Sequence, residues 1–243
     1  NKIKNIENIL YKNKNTKGLS GLLFKEEYLK FFSIKFYTAF KHINNIVEGK
    51  NKKGSQTIFV YCNLVTAGVN VFKEILIQNG YLEYDEEKNY QINDNTIDYR
   101  TGLKYKDYIK QKTKISFFPA VFMTITGSND ELNDDVPDIK KKILDNVFNN
   151  IDNKDGKHIK IILGSRVMQE GITLENVGEV HILDVYYNFG RVHQVIGRAI
   201  RQCKHYKITS DKNQYPEVRI FKYVVSVDKG LSSEEKLYQK AEK

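Results

Sequence analysis

Tryptophan is missing from this 243-residue chain, and cysteine (two residues), methionine (two) and proline (three) are scarce. Cys62 and Cys203 lie far apart, with no companion at a zinc or redox spacing. That excludes a disulfide framework and a thiolate metal site, and it leaves reduced thiols in an intracellular, reducing compartment as the expectation. None of His42, His158, His181, His193 and His205 falls in an HExxH pattern, and no GxSxG elbow occurs, so metal-dependent hydrolysis and acyl transfer have no support and no metal ligand set is expected. No apolar run approaches the roughly 20 residues of a membrane helix, so no membrane partner is expected. The chain opens on Asn1 without a charged-then-apolar signal segment, and it reads as a piece of a longer protein.

Arginine is the most informative scarcity. Lys and Arg together number 39 against 30 acidic residues, for a net charge of +9, yet only Arg100, Arg166, Arg191, Arg198, Arg201 and Arg219 are arginine. Four of those six fall between 166 and 201. Heavy use of Asn, Lys, Ile, Tyr and Phe suggests an A+T-rich genome, which favours Lys wherever an ordinary surface cation suffices. Arginine in such a chain hints at a need for the planar guanidinium fork that grips phosphate in two places.

What is present is a globular chain. Its 40% hydrophobic and 12% aromatic residues exclude disorder, and at roughly 150 residues per domain it makes one large domain or one and a half. Residues 1–20 are Asn- and Lys-rich without periodicity, and 1–32 is expected to be a lead-in from a missing upstream region with no core of its own in its first part. Ser33 is a plausible N-cap for a helix with Phe36, Ala39, Phe40, Ile43, Ile46 and Val47 on one face, ending at Gly49. Gln56–Cys62 reads as a strand, followed by a helix through Val69, Phe72, Ile75 and Leu76 that stops at Gly80. Residues 83–116 alternate acidic and basic clusters and read as an insertion, either a solvated excursion or a Tyr- and Lys-bearing contact for nucleic acid.

Strands are then expected at Phe118–Ile125, Ile159–Leu163, Glu179–Asp184 and Glu217–Val227, with helices opened by Pro137, spanning about 189–202, and starting at Ser232. Alternating strands and helices with unbroken apolar strands predict an α/β fold, a mainly parallel central sheet covered by helices on both faces.

Two segments carry chemistry. In HQVIGRAIRQ, at 193–202, Gln194, Arg198 and Arg201 stand at i, i+4 and i+7 of a helix and share one face. Val192, Val195, Ile196, Ala199 and Cys203 gather on the other as a core stripe, and Gly197 on the flank permits close approach of another backbone. In KIILGSRVMQEGITL, at 160–174, a buried strand ends at Gly164 and a polar loop runs to Gly171. Ligands of open α/β sheets bind beyond the carboxyl ends of the strands, so Ser165, Glu170, Gly171 and Thr173 are expected there, where hydroxyls and free amides suit phosphate or ribose.

GSRVMQEGITL resembles motif V, and QVIGRAIR resembles motif VI (QxxGRxxR), of superfamily 2 helicases and translocases. QTIFVYCNLVTAGVNVFKEILIQNGY looks like the motif IV strand and helix of their second RecA-like domain, and MTITGSN like the strand and turn that follow. FNNIDNKDGKHIKIILGS, EGITL and YYNFGRVHQVIGRAIRQCKH extend the resemblance to the nucleoside triphosphatases of large DNA viruses. That group holds the poxvirus early transcription factor small subunit, nucleoside triphosphate phosphohydrolase I and their mimivirus and asfarvirus relatives.

The resemblance implies a RecA-like three-layer helicase C-terminal domain over 33–243, with the insertion at about 83–116. It implies that Arg201 is the arginine finger for the γ-phosphate, Arg198 its partner, and Gln194 the residue coupling hydrolysis to domain closure. Glu170, Gly171 and Gly197 would lie near the nucleotide, and Ser165, Arg166, Thr173, Thr126 and Gly127 near nucleic acid. No GxxxxGK[ST] phosphate loop occurs in this chain. ATP and Mg²⁺ are therefore expected to be bound mainly by a first RecA-like domain of the same protein, with this chain alone inactive.

DNA or RNA, that first domain and a viral RNA polymerase are the implied partners, and the host cytoplasm (viral factory) or the virion is the implied location. Two alternatives stay open: a nonenzymatic RecA-like scaffold in a viral transcription complex, and a duplex translocase that does not separate strands. The intact Gln194, Arg198 and Arg201 argue against a decayed scaffold.

Overall fold

The computed structural model describes residues 8–13, 18–50, 54–111, 116–127, 136–169, 172–184, 189–200, 209 and 217–241. In chain order these give β1 (Tyr11–Lys12), β2 (Leu19–Ser20), α1 (Glu26–Phe32), α2 (Ile34–Val47), β3 (Thr57–Tyr61), α3 (Asn70–Gln78), β4 (Leu82–Glu83) and α4 (Tyr105–Tyr108). There follow β5 (Val121–Ile125), α5 (Asp138–Ile143), β6 (Ile161–Gly164), β7 (Val177–Ile182), α6 (Phe189–Ala199), β8 (Arg219–Lys222) and α7 (Ser233–Ala241).

Local chemistry sets the helix ends. The Ser33 hydroxyl accepts the Phe36 N–H at 3.3 Å and starts α2. At α7, Glu235 N–H donates to Ser232 Oγ at 3.0 Å while Ser232 N–H donates to Glu235 Oε2 at 2.7 Å, a reciprocal capping box. Gly80 ends α3 with φ +91°, and a Cβ there would sit 2.1 Å from the Asn95 carbonyl oxygen, so the turn admits only glycine.

Among the described residues, β4-β5-β6-β3-β7-β8 form one six-stranded sheet in that order, with every pairing parallel. Side chains alternate across it. Ile58 and Val60 of β3 join Phe40, Ile43, Phe72 and Ile75 of α2 and α3 in one core. Phe59 and Tyr61 join Ile143 of α5 and Val192 and Val195 of α6 in the other. Each such side chain, fully buried, contributes about 1.5–3 kcal/mol, and the two cores make the predicted α/β three-layer RecA-like fold.

The packed body begins ahead of residue 33, within the later part of the 1–32 lead-in. Phe24 and Leu29 are fully buried, and Ser20 donates to Glu74 Oε1 at 2.6 Å.

The 83–116 insertion is also more than a solvated excursion. Ile97 reaches the α2–α3 core, and buried Asp98 organises the chain around it. Its Oδ1 accepts the N–H groups of Arg100 (3.1 Å) and Thr101 (3.0 Å), and its Oδ2 accepts that of Phe118 (3.2 Å).

Candidate nucleotide and nucleic-acid site

The carboxyl ends of four central strands are level. Ile125, Gly164, Tyr61 and Ile182 pair across β5, β6, β3 and β7 in one row. The next residues close the edge, with Ser165 N–H donating to Ile125 O (3.1 Å), Cys62 N–H to Gly164 O (3.1 Å) and Leu183 N–H to Tyr61 O (2.9 Å). The strand order doubles back here, since the chain fills β4, β5 and β6 on one side of β3 and then crosses to β7 and β8 on the other. Such a switch point is where open α/β sheets hold ligands.

Thr126 and Gly127 leave β5 at this edge, half-exposed, and Ser165 and Arg166 leave β6 there. Arg166 is exposed, whereas Ser165 is fully buried and its hydroxyl has no hydrogen-bond partner among the described residues. An unmet buried hydroxyl costs about 1–3 kcal/mol. Gly164 makes the turn possible, because a Cβ there would stand 2.5 Å from Met168 Cγ as the turn Arg166–Gln169 folds back over the strand end. Asp184, after β7, ties the edge together: its Oδ2 accepts the N–H groups of Asn63 (2.7 Å) and Leu64 (3.3 Å). Burial raises its carboxyl above the usual range. Burial, with Asp184 beside it, pushes the free Cys62 thiol up to about 12, so it stays protonated at neutral pH.

Helix α6 divides as its spacing predicts. Val192, Val195, Ile196 and Ala199 are buried, Gln194 is exposed and Arg198 is half-buried. Its last turn is bonded to the 172–174 segment, with Leu174 N–H donating to Arg198 O at 3.3 Å and Arg198 Nη1 to Ile172 O at 3.4 Å. No described atom lies within 4 Å of where a Cβ on Gly197 would project, so that flank is open to another body. Glu170, Gly171, Arg201 and Cys203 lie outside the described residues.

Residues 131–203 match the family described as helicase conserved C-terminal domain. A candidate ATP-dependent RNA helicase of Acanthamoeba polyphaga mimivirus is 49% identical over 244 residues, covering 99% of this chain and 21% of that protein. A second candidate ATP-dependent RNA helicase of the same virus is 32% identical over 236 residues, covering 96% of this chain and 34% of its own length. The chain carries a superfamily 2 helicase C-terminal domain. The early transcription factor 70 kDa subunit of rabbit fibroma virus is also similar, at 26% identity over 83% of this chain and 26% of that protein. The chain thus spans about a fifth to a third of the length of these relatives.

Within this helicase domain the predicted residues fall into two groups. Thr126, Gly127, Ser165 and Arg166 share the carboxyl edge, whereas Thr173 lies on the return path to the amino end of β7, against the last turn of α6 with Arg198. The expectation that Thr173 sits beside Ser165 is corrected, because the short crossover between β6 and β7 must travel the length of the sheet between them. Sequence reasoning missed Asn149, which clamps this return path by donating Nδ2 to Thr173 O (3.0 Å) and accepting Glu175 N–H on Oδ1 (2.8 Å). It also missed Asp184. The only signal for either was a short polar side chain at the end of an apolar run, which is common at any turn.

Proposed function

We propose that this chain is the C-terminal motor lobe of an NTP-dependent nucleic-acid helicase or translocase of a large DNA virus, acting in viral transcription or genome handling. The observation that carries this reading is the construction of α6. One face is buried in the core, the last turn is locked to the 172–174 segment in part through the Arg198 guanidinium, and Gln194 is exposed on the other face. An exposed amide beside a guanidinium held by Ile172 O suits the charge that develops on a transferring phosphoryl group, and a preorganised arginine there is worth several orders of magnitude in rate. In this reading Arg201 is the arginine finger, Arg198 its partner, and Gln194 couples hydrolysis to closure.

The fit to the rest of the cofactor is partial. The lobe supplies cations for a triphosphate, but among the described residues no group of three or more His, Cys, Asp or Glu is disposed to hold a metal ion. ATP and Mg²⁺ are assigned mainly to a first RecA-like domain because this sequence has no GxxxxGK[ST] phosphate loop, and Glu170 and Gly171 are assigned to the nucleotide side of this lobe. DNA or RNA would run along the carboxyl edge, touching Thr126, Gly127 and Arg166, with Ser165 buried behind them, and a viral RNA polymerase is a further partner. The host cytoplasmic viral factory or the virion is the matching location.

The test compares ATP hydrolysis by the 243-residue chain and by the complete protein, with and without single-stranded nucleic acid. The account expects no hydrolysis from the chain alone and nucleic-acid-stimulated hydrolysis from the complete protein. Robust turnover by the chain alone would refute the division of labour.

A further inference from the structure

A pocket of about 510 Å³ opens beside the edge strand β4 and the amino end of β5. It lies across the sheet from Thr126 and Ser165, at least the length of β5 away, roughly 13 Å at 3.3 Å per residue. Three rings, Tyr84, Tyr90 and Phe118, and three basic side chains, Lys88, Lys157 and His158, line it.

The rings have different tasks. Tyr84 is fixed as the chain leaves β4, donating its N–H to Phe122 O at 2.8 Å and packing against the α5-side core. A turn brings Tyr90 back beside it: Lys88 N–H donates to Asp85 O at 3.1 Å, and Tyr90 Oη donates to Asp85 O at 3.4 Å. Phe118 is already engaged, with the Lys157 ammonium 4.5 Å from its ring centre and Tyr99 set edge-on at 6.2 Å. Phe118 thus holds a cation at the wall, and Tyr84 and Tyr90 are the rings left for a flat guest.

The lining carries more basic than acidic side chains, although Asp85 and Glu86 of the adjoining turn act on Tyr84. Asp152 is the acid in the lining, and Lys88 and Lys157 make no ion pair among the described residues. His158 is held below its ordinary range by burial first, then by Lys88 and Lys157, against a smaller pull from Asp152. Lys88 also occupies a left-handed backbone position, φ +56°, at the tip of its turn. Aromatic faces beside unpaired cations form the combination that binds unpaired nucleotides without regard to sequence.

We propose that this pocket is a second nucleic-acid contact, which stacks a base of an unpaired strand on Tyr84 and Tyr90 and takes its phosphates on Lys88 and Lys157. The proposal rests on the motor-lobe reading and extends it to a surface that motifs IV, V and VI do not include.

The experiment crosslinks the complete protein to a 5-iodouridine-substituted oligo(U) of 20 nucleotides under near-ultraviolet light, maps the adducts by mass spectrometry, and measures affinity by anisotropy. Adducts are expected on Tyr84 or Tyr90. Tyr90→Ala is expected to lose about tenfold in affinity, and Tyr90→Phe, which keeps the ring, to retain it. Adducts confined to the segments after β5 and β6, with unchanged affinity in Tyr84→Ala and Tyr90→Ala, would overturn the second contact and leave the motor reading standing. Loss of the Tyr84 and Tyr90 adducts to an equal nucleotide concentration of free UMP would overturn the strand as occupant. A complete protein that neither binds the oligonucleotide nor hydrolyses ATP faster in its presence would overturn both readings.

Discussion

Lys160 stands one residue before β6 with 1% of its surface exposed, donating to Asp155 O at 3.0 Å and lying 5.7 Å from the centre of the Tyr99 ring. Burial lowers it from 10.5 to about 7, against the smaller pull of Asp155, Asp98 and Glu179. Between those two values the unfolded chain binds the Lys160 proton more tightly than the folded one, so folding stability should increase as pH rises from about 7 to about 9, above which the raised Cys62 thiol opposes it. Chemical denaturation across that window should show the increase in the native chain, and Lys160→Met should remove it. A native curve that is flat or falling there would mean that the ammonium is solvated. Ser165, at the far end of the same strand, is the complementary case: its buried hydroxyl has no partner among the described residues, at the strand end where a ligand is expected.

At the scale of elements, α6 separates folding from chemistry along its two faces. Ile196→Ala empties a buried site and should cost about 2–5 kcal/mol of stability. Gln194→Ala, on the exposed face, should shift stability by less than about 0.5 kcal/mol while lowering nucleic-acid-stimulated ATP turnover of the complete protein. Urea titration and steady-state ATPase assays check the pair, and a Gln194→Ala protein that unfolds early but turns over normally would reverse the assignment.

The elements legible in the sequence are those whose apolar period is strong. For α2, β3, α3, β6 and α6 it matches within a residue or a few. β8 is shorter, Arg219–Lys222 within the expected Glu217–Val227, because an edge strand is limited by its neighbour rather than by its own apolar run. Phe24 and Leu29 were hidden because their burial depends on a partner surface far along the chain, and Asp98 because its carboxylate serves backbone amides inside a charge-rich stretch. In the site, the residue identities were legible from motif spacing. The split between Ser165 and Thr173 was not, since it depends on where the return path meets α6.

At the scale of the molecule, a net charge of +9 is less informative than its distribution. Lysines spread over the surface favour any polyanion, with an affinity that falls steeply as salt rises, while the scarce arginines gather on motifs V and VI. On the proposed reading these features belong to one lobe of a two-lobe motor, with the level carboxyl edge serving a strand and the α6 flank serving a nucleotide gripped elsewhere. The most direct test of that claim is the nucleic-acid-stimulated ATPase rate of the complete protein carrying Arg201→Lys. The substitution keeps the charge but loses the planar fork, so kcat should fall by about 10³-fold or more while ATP is still bound. Normal turnover in that variant would contradict the account.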